Sequence, residues 1–324
     1  MRKLVAPVLV SLLTLLSACS AEPDPVIPSQ MQASQEPTES ESETQQVTEE
    51  SDPDSKTSPS WQVGDFLPVA EEGVSAHLAI TDSGYRLAYG SYGAGGWVVS
   101  DCSLDWTCSV TGTIDRVADL TVVELTSGEL RAYFVEINPD SKQKEIFTAD
   151  ISDDWLRLSN RQSIGFNDGG AMAWGVPDAV LTPEGLVRVY WVVPGAGMAN
   201  EIVVSATSTD TSGVSFVMDD GDRLTGGYVD FEVVKANAGD WVALASSSPE
   251  GLPAKPQGLF VATSADGLTW QVDEQSISPS NMSYLDPTAV LTETGIMELV
   301  ISRATNELGQ RDYELVRSQI SFGD

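Results

Sequence analysis

Ser264-Ala265-Asp266-Gly267-Leu268-Thr269-Trp270 sits between two strand-like runs, Gly258 to Thr263 (GLFVAT) and Thr269 to Val272 (TWQV). An Asp accepts backbone N–H bonds within its own turn, and a Gly takes positive φ without steric penalty. The stretch therefore reads as a tight hairpin, with Trp270 opening the return strand as a large apolar anchor. Hairpins of the same kind recur upstream: GWVVSDCSLDWTCSV from Gly96, EIFTADISDDWLRLS from Glu145 and EIVVSATSTDTSGVSFV from Glu201.

Each of these hairpins follows a second recurring unit: an acidic or small residue, an apolar run, a polar turn with Gly, and an alternating strand. The copies are AHLAITDSGYRLAYGS from Ala76, ADLTVVELTSGELRAYFVE from Ala118, PDAVLTPEGLVRVYWVV from Pro177, VDFEVVKANAGDWVALASS from Val229 and LDPTAVLTETGIMELVIS from Leu285. Self-similarity at this period marks a repeat architecture. The fifth unit ends in YELVRSQISF with no return strand, while Trp61-Gln62-Val63 repeats Trp270-Gln271-Val272 residue for residue. The expectation is an all-β propeller of five four-stranded blades, closed by the N-terminal strand completing the last blade and leaving few free edges. A β-sandwich is the alternative. A six-bladed ring would need a longer chain.

The Ser264–Trp270 stretch resembles the Asp box of sialidase-like β-propellers, usually Ser-x-Asp-x-Gly-x-Thr-Trp, with one spacer missing before the Gly. In those families the box marks the outer turn of a blade and carries no chemistry. The five repeats also resemble five-bladed glycosidases of the arabinofuranosidase and xylosidase kind. That resemblance implies a base Asp, a supporting Asp and an acid Glu on the first strands of consecutive blades. Carried over by repeat position, His77 takes the base position, Asp119 the supporting one and Asp178 the acid one. Two of these residue types depart from the pattern. True sialidases also clamp their substrate with an arginine triad whose first member lies in an Arg-Ile-Pro context, and no such tripeptide occurs here.

His77, Asp119, Asp178, Asp230 and Asp286 head the five units and are expected to meet at the mouth of a central channel. Convergent carboxylates raise one another's proton affinity and separate into acid and base roles. Asp119, Asp178, Asp230 and His77 are thus the catalytic candidates. Turn chemistry at Pro177-Asp178 and Asp286-Pro287 is the structural alternative. Trp174, Tyr228, Tyr284 and Asp286 are the ligand-binding candidates, because aromatic faces beside carboxylates suit a sugar, although blade packing uses the same residues. No cofactor is expected; a channel Ca²⁺ would suit the oxygen ligands.

Residues 1–18 begin Met1-Arg2-Lys3, continue in an apolar run from Leu4 to Leu16 and end in Ser17-Ala18. A charged start, a short apolar run and small residues before a cut describe a secretory signal. Leu16-Ser17-Ala18-Cys19 resembles the bacterial lipobox, which implies cleavage before Cys19 and acylation of that Cys. Two or more acyl chains hold a protein stably on a membrane. Residues 19–60, with EPTESESETQQVTEESDPDSK at their heart, lack aromatics and cannot repay the entropy of ordering. They read as a tether spanning about 35 Å as a flexible chain. Residues 61–324 are the propeller domain.

The formal net charge is −31, with 48 Asp and Glu against 17 Lys and Arg. Most of it falls after residue 60, which excludes nucleic acid as a partner. Of three Cys, Cys19 takes the lipid; Cys102 and Cys108 flank the SLDWT turn and form an expected disulfide in an exported protein. With no His near these two Cys, a zinc site is disfavoured. The sequence thus points to a monomeric, lipid-anchored, extracytoplasmic protein whose propeller binds a ligand, most plausibly glycan. A glycoside hydrolase with an altered acidic set is the second reading, and an envelope protein-interaction platform the third.

Overall fold

The structure is a computed structural model that describes residues 61–166, 175–195, 201–247, 256–305 and 312–322. The expected lipidation site Cys19, the tether and Trp174 lie outside the described residues. The chain forms five antiparallel sheets, four of them built from consecutive strands that run from the axis outward and the fifth joining both ends of the chain.

The chain enters through β1 (Trp61–Val63) and β2 (Leu67–Ala70). Blade 1 is β3 (Val74–Thr81), β4 (Gly84–Ser91), β5 (Gly96–Ser103) and β6 (Cys108–Ile114). Blade 2 is β7 (Ala118–Glu124), β8 (Leu130–Ile137), β9 (Lys144–Ile151) and β10 (Leu158–Ser163). Blade 3 is β11 (Gly175–Leu181), β12 (Val187–Pro194) and β13 (Glu201–Ser208), with an outer strand split into β14 (Phe216–Met218) and β15 (Leu224–Thr225). Blade 4 is β16 (Tyr228–Asn237), β17 (Asp240–Ser247), β18 (Gly258–Ser264) and β19 (Trp270–Val272). Blade 5 is β20 (Tyr284–Leu291), β21 (Met297–Ala304) and β22 (Tyr313–Phe322).

Blade 5 is completed by the start of the chain. Trp61 pairs with Phe322 and Val63 with Ile320, and β2 extends the same edge by pairing Leu67 with Arg317. The two Trp-Gln-Val triplets, in β1 and β19, thus occupy the same outer position in adjacent blades. Middle strands are buried on both faces, as in β12 and β17, whose runs are almost continuously apolar. Facing blades enclose the core: Tyr190 of blade 3 packs on Phe231 and Trp270 of blade 4 at 5.2 and 6.2 Å between ring centres.

The turns between third and outer strands clasp the preceding blade. In the Ser264–Trp270 turn, Asp266 accepts the N–H groups of Leu268 and Thr269, both at 2.8 Å, and Trp270 Nε1 donates to the Gly267 carbonyl. Tyr190 Oη of blade 3 donates to that same carbonyl at 2.7 Å. Tyr133 of blade 2 does the same to Gly213 of blade 3. In blades 1 and 2 the turn residue equivalent to Gly267 is Trp106 or Trp155, each with positive φ. Their rings lie under Arg317 and Arg86 of the preceding blade. Cys102 and Cys108 are bridged across the first of these turns, as the spacing predicted.

Candidate functional site: the axial ring

All five inner strands open with a register shift: between Val74 and His77, Ala118 and Thr121, Gly175 and Asp178, Tyr228 and Asp230, and Leu285 and Thr288. At four of them a non-glycine residue takes a left-handed backbone, with φ of 48° at Ser75, 51° at Asp119, 54° at Val176 and 49° at Asp286. For the β-branched Val176 this is an outlier that the surroundings must impose.

The reason lies in the hydrogen bonds between blades. Val176 N–H donates to Asp119 Oδ2 at 3.1 Å, Asp286 N–H to Asp230 Oδ2 at 2.9 Å, and Ser75 N–H to Asp286 Oδ2 at 3.1 Å. All three donors are left-handed residues, turned so that the amide faces the carboxylate of the preceding blade. These bonds form an upper tier on three of the five seams.

Two residues further along each strand a lower tier is complete. Val122 N–H lies 3.0 Å from His77 Nε2, Ala179 N–H 3.4 Å from Thr121 Oγ1, Val233 N–H 2.8 Å from Asp178 Oδ2 and Leu78 N–H 3.1 Å from Thr288 Oγ1. On the fifth seam Glu232 accepts the Thr288 hydroxyl at 2.9 Å. Four seams are therefore latched by one side chain of an inner strand accepting a main-chain N–H from its neighbour, and the fifth by the Thr288 hydroxyl.

This corrects the alignment of the five expected positions. They are not one ring of equivalents: Asp119, Asp230 and Asp286 belong to the upper tier, His77 and Asp178 to the lower. Each lies inside its inner strand instead of preceding it. Glu232, the lower-tier residue of blade 4, was missed. Asp230-Phe231-Glu232 places two acids on one face of a strand, a period-two signal available in the sequence.

Burial and mutual repulsion dominate the electrostatics. Asp178 and Asp230 are each 3 % exposed. Burial, foremost, pushes the Asp178 carboxyl up to about 7. Glu232 is raised by burial and then by the Asp178 charge. Asp230 is raised by burial and then by the charge of Asp286. Burial and the Asp119 charge push Asp286 up to about 6. Burial lowers His77 to about 4, so the ring is neutral near pH 7. It stacks on Trp155 of blade 2, centroids 5.3 Å apart.

The cavity among these residues holds about 20 Å³, with Asp119, Asp178, Glu232 and Asp286 in its wall. That volume accommodates one water molecule. Among the described residues no three His, Cys, Asp or Glu side chains are gathered as a metal ion requires; the carboxyl oxygens face amides and one another. Neither Tyr228 nor Tyr284 lines this cavity. Tyr228 meets Phe260 edge-on, and Tyr284 is buried beside Phe66 in a separate cleft between blades 4 and 5. Among the described residues no helix is long and apolar enough to cross a membrane.

Fold and site define a five-bladed β-propeller with an acidic axis. No family model matches the chain, and no curated protein matches it. Solved structures do. An endo-arabinase from Bacteroides thetaiotaomicron aligns with a TM-score of 0.60 at 12% identity, over 80% of this chain and 99% of that one. An endo-1,4-β-xylanase from the same organism aligns at 0.58 and 12%, over 80% and 97%. A family 117 glycoside hydrolase of the marine bacterium Zobellia galactanivorans aligns at 0.59 and 12%, over 81% and 90%. At such identities the likeness establishes the fold, which is that of five-bladed propeller glycoside hydrolases.

Proposed function

We propose that the protein is a lipid-anchored, extracytoplasmic propeller that binds glycan without hydrolysing it. Glycan as ligand is supported by the fold it shares with enzymes named for xylan and arabinan. The absence of hydrolysis is supported by one observation above the rest: the axial carboxyls of Asp119, Asp178, Glu232 and Asp286 line a cavity of only about 20 Å³. Two carboxyls that cleave a glycosidic bond stand about 5–5.5 Å apart for retention and about 6.5–9.5 Å apart for inversion, with the sugar between them. A space that holds one water molecule leaves no room for that arrangement.

Anchoring rests on the lipobox-like Leu16-Ser17-Ala18-Cys19 and the acidic tether that follows it. Labelling with a fatty-acid analogue in a bacterial host tests this: the label is expected on the parent chain and absent from Cys19→Ala. Function is tested by presenting the full chain to arrays of oligosaccharides while assaying reducing-end release. Binding without release supports the reading. Release abolished by Asp178→Asn or Glu232→Gln in a folded variant would establish the hydrolase instead.

A further inference from the structure

We propose that the glycan is held in the cleft between blades 4 and 5, not on the axis, and that it is a neutral oligosaccharide. This rests on the carbohydrate reading above and assigns its site. The cleft has a volume of about 890 Å³, within the size range of small-molecule sites. It exists because the outer strand of blade 5 is interrupted. Between β1 and β2 the chain leaves the sheet edge, pinned by Gly64 N–H to the Gln319 carbonyl and Ser318 Oγ to the Gly64 carbonyl, both at 2.9 Å. Asp65 and Phe66 thereby stand beside the connection that carries exposed Asn281.

The lining suits a sugar. Phe66, partly exposed, is backed by buried Tyr284 with centroids 4.8 Å apart, which fixes an aromatic surface for the apolar face of a pyranose. Arg303 reaches Glu314 Oε1 with Nε at 3.0 Å and Nη2 at 2.6 Å. An oriented guanidinium–carboxylate pair offers donors and acceptors to adjacent hydroxyls. It also decides the charge of the ligand. Arg303 is the one cation among the described residues that line the cleft, it is already neutralised, and Asp65 and Glu314 are both acidic. Together with the overall charge of −31, this disfavours uronic or sulfated sugars.

The test titrates the full chain, in detergent, with short neutral xylo-, arabino-, gluco- and galacto-oligosaccharides and with oligogalacturonate, by calorimetry. Phe66→Ala is expected to weaken the best neutral ligand about tenfold by loss of the aromatic surface. Asn281→Trp, a filling change at an exposed position that leaves the core untouched, is expected to abolish binding with unchanged thermal melting. Wild-type affinity in Asn281→Trp overturns the cleft assignment while the carbohydrate reading stands. Stronger binding of oligogalacturonate overturns the neutral class. No binding of any sugar by the parent chain overturns both the assignment and the reading beneath it.

Discussion

Asp286 Oδ2 accepts the N–H of Ser75 at 3.1 Å across the seam where the last blade meets the first. The two residues are 211 positions apart, and the carboxylate also accepts the Ser302 hydroxyl at 3.4 Å. This seam is closed twice: on the axis by Asp286 and Thr288, and at the rim by β1 on β22. Asp286→Ala leaves the Ser75 amide without its acceptor and is expected to destabilise by about 1–3 kcal/mol. Asp286→Asn keeps an acceptor and removes a like charge, so it is expected to cost far less. Urea unfolding of the two variants at pH 7 distinguishes them; equal losses would mean the N–H contact does not contribute.

The raised carboxyls set the pH dependence of stability. A group whose folded pKa lies above its unfolded value stabilises most below the unfolded value, and that contribution disappears as pH rises through the folded one. For Asp178 and Asp286 the window runs from about 4 to their raised values of about 7 and about 6. Asp230 and Glu232 shift in the same direction. His77 works oppositely: its pKa is lowered to about 4, so its contribution is present above about 6.5 and lost as pH falls through 4. Four carboxyls outweigh one imidazole. The melting temperature is expected to be highest near pH 4 and to fall by on the order of 5–10 °C toward pH 8, a change of a few kcal/mol for a domain of this size. Melting that rises steadily to pH 8 would contradict the raised carboxyls.

The blades were legible because every hairpin combines period-two alternation with a Gly or Asp turn, and these signals are local. Ring closure was legible from the repeated Trp-Gln-Val triplet. The tiers were not, because aligning the five units on their acids ignores the register shift that opens each inner strand. The correct register is nevertheless present in the sequence. Pro177-Asp178-Ala179-Val180-Leu181-Thr182 and Pro287-Thr288-Ala289-Val290-Leu291-Thr292 differ at one position. That identity places Asp178 opposite Thr288, and Asp286 opposite Val176. Which partner each carboxyl meets depends on how the blades are angled about the axis, and no single repeat contains that information.

Gly175 and Asp119 are coupled by close approach. A Cβ on Gly175 would lie 2.2 Å from Asp119 Oδ2, and its φ of 115° is itself unfavourable to a side chain. Gly175→Ala is therefore expected to destabilise by more than about 1 kcal/mol from backbone strain alone, with the clash added. Asp119→Ala removes the clash but not the strain. In a double-mutant cycle the two changes are expected to sum to less than their parts, with a coupling of about 0.5–3 kcal/mol. Simple additivity would show that the carboxylate does not press on Gly175.

Tyr190 tests whether the outer turns act as clasps between blades. Its hydroxyl is buried and donates to the Gly267 carbonyl at 2.7 Å, the same oxygen that receives Trp270 Nε1 at 3.0 Å. Arg188 Nη1 reaches the adjacent Asp266 carbonyl at 3.0 Å, so two side chains of β12 hold the turn of blade 4. Tyr190→Phe keeps the ring packed on Phe231 and Trp270 while deleting one donor. The Gly267 carbonyl retains its indole partner, so the expected loss is at the low end of a buried hydrogen bond, about 0.5–1.5 kcal/mol. Arg188→Met removes the second contact, and its ion pair with Asp219. If blades 3 and 4 unfold as one unit through this clasp, hydrogen exchange in β18 and β19 accelerates in both variants. Acceleration confined to β12 would mean that the turn is held by its own internal bonds, and that blade-to-blade cohesion resides in the axial tiers and the apolar core.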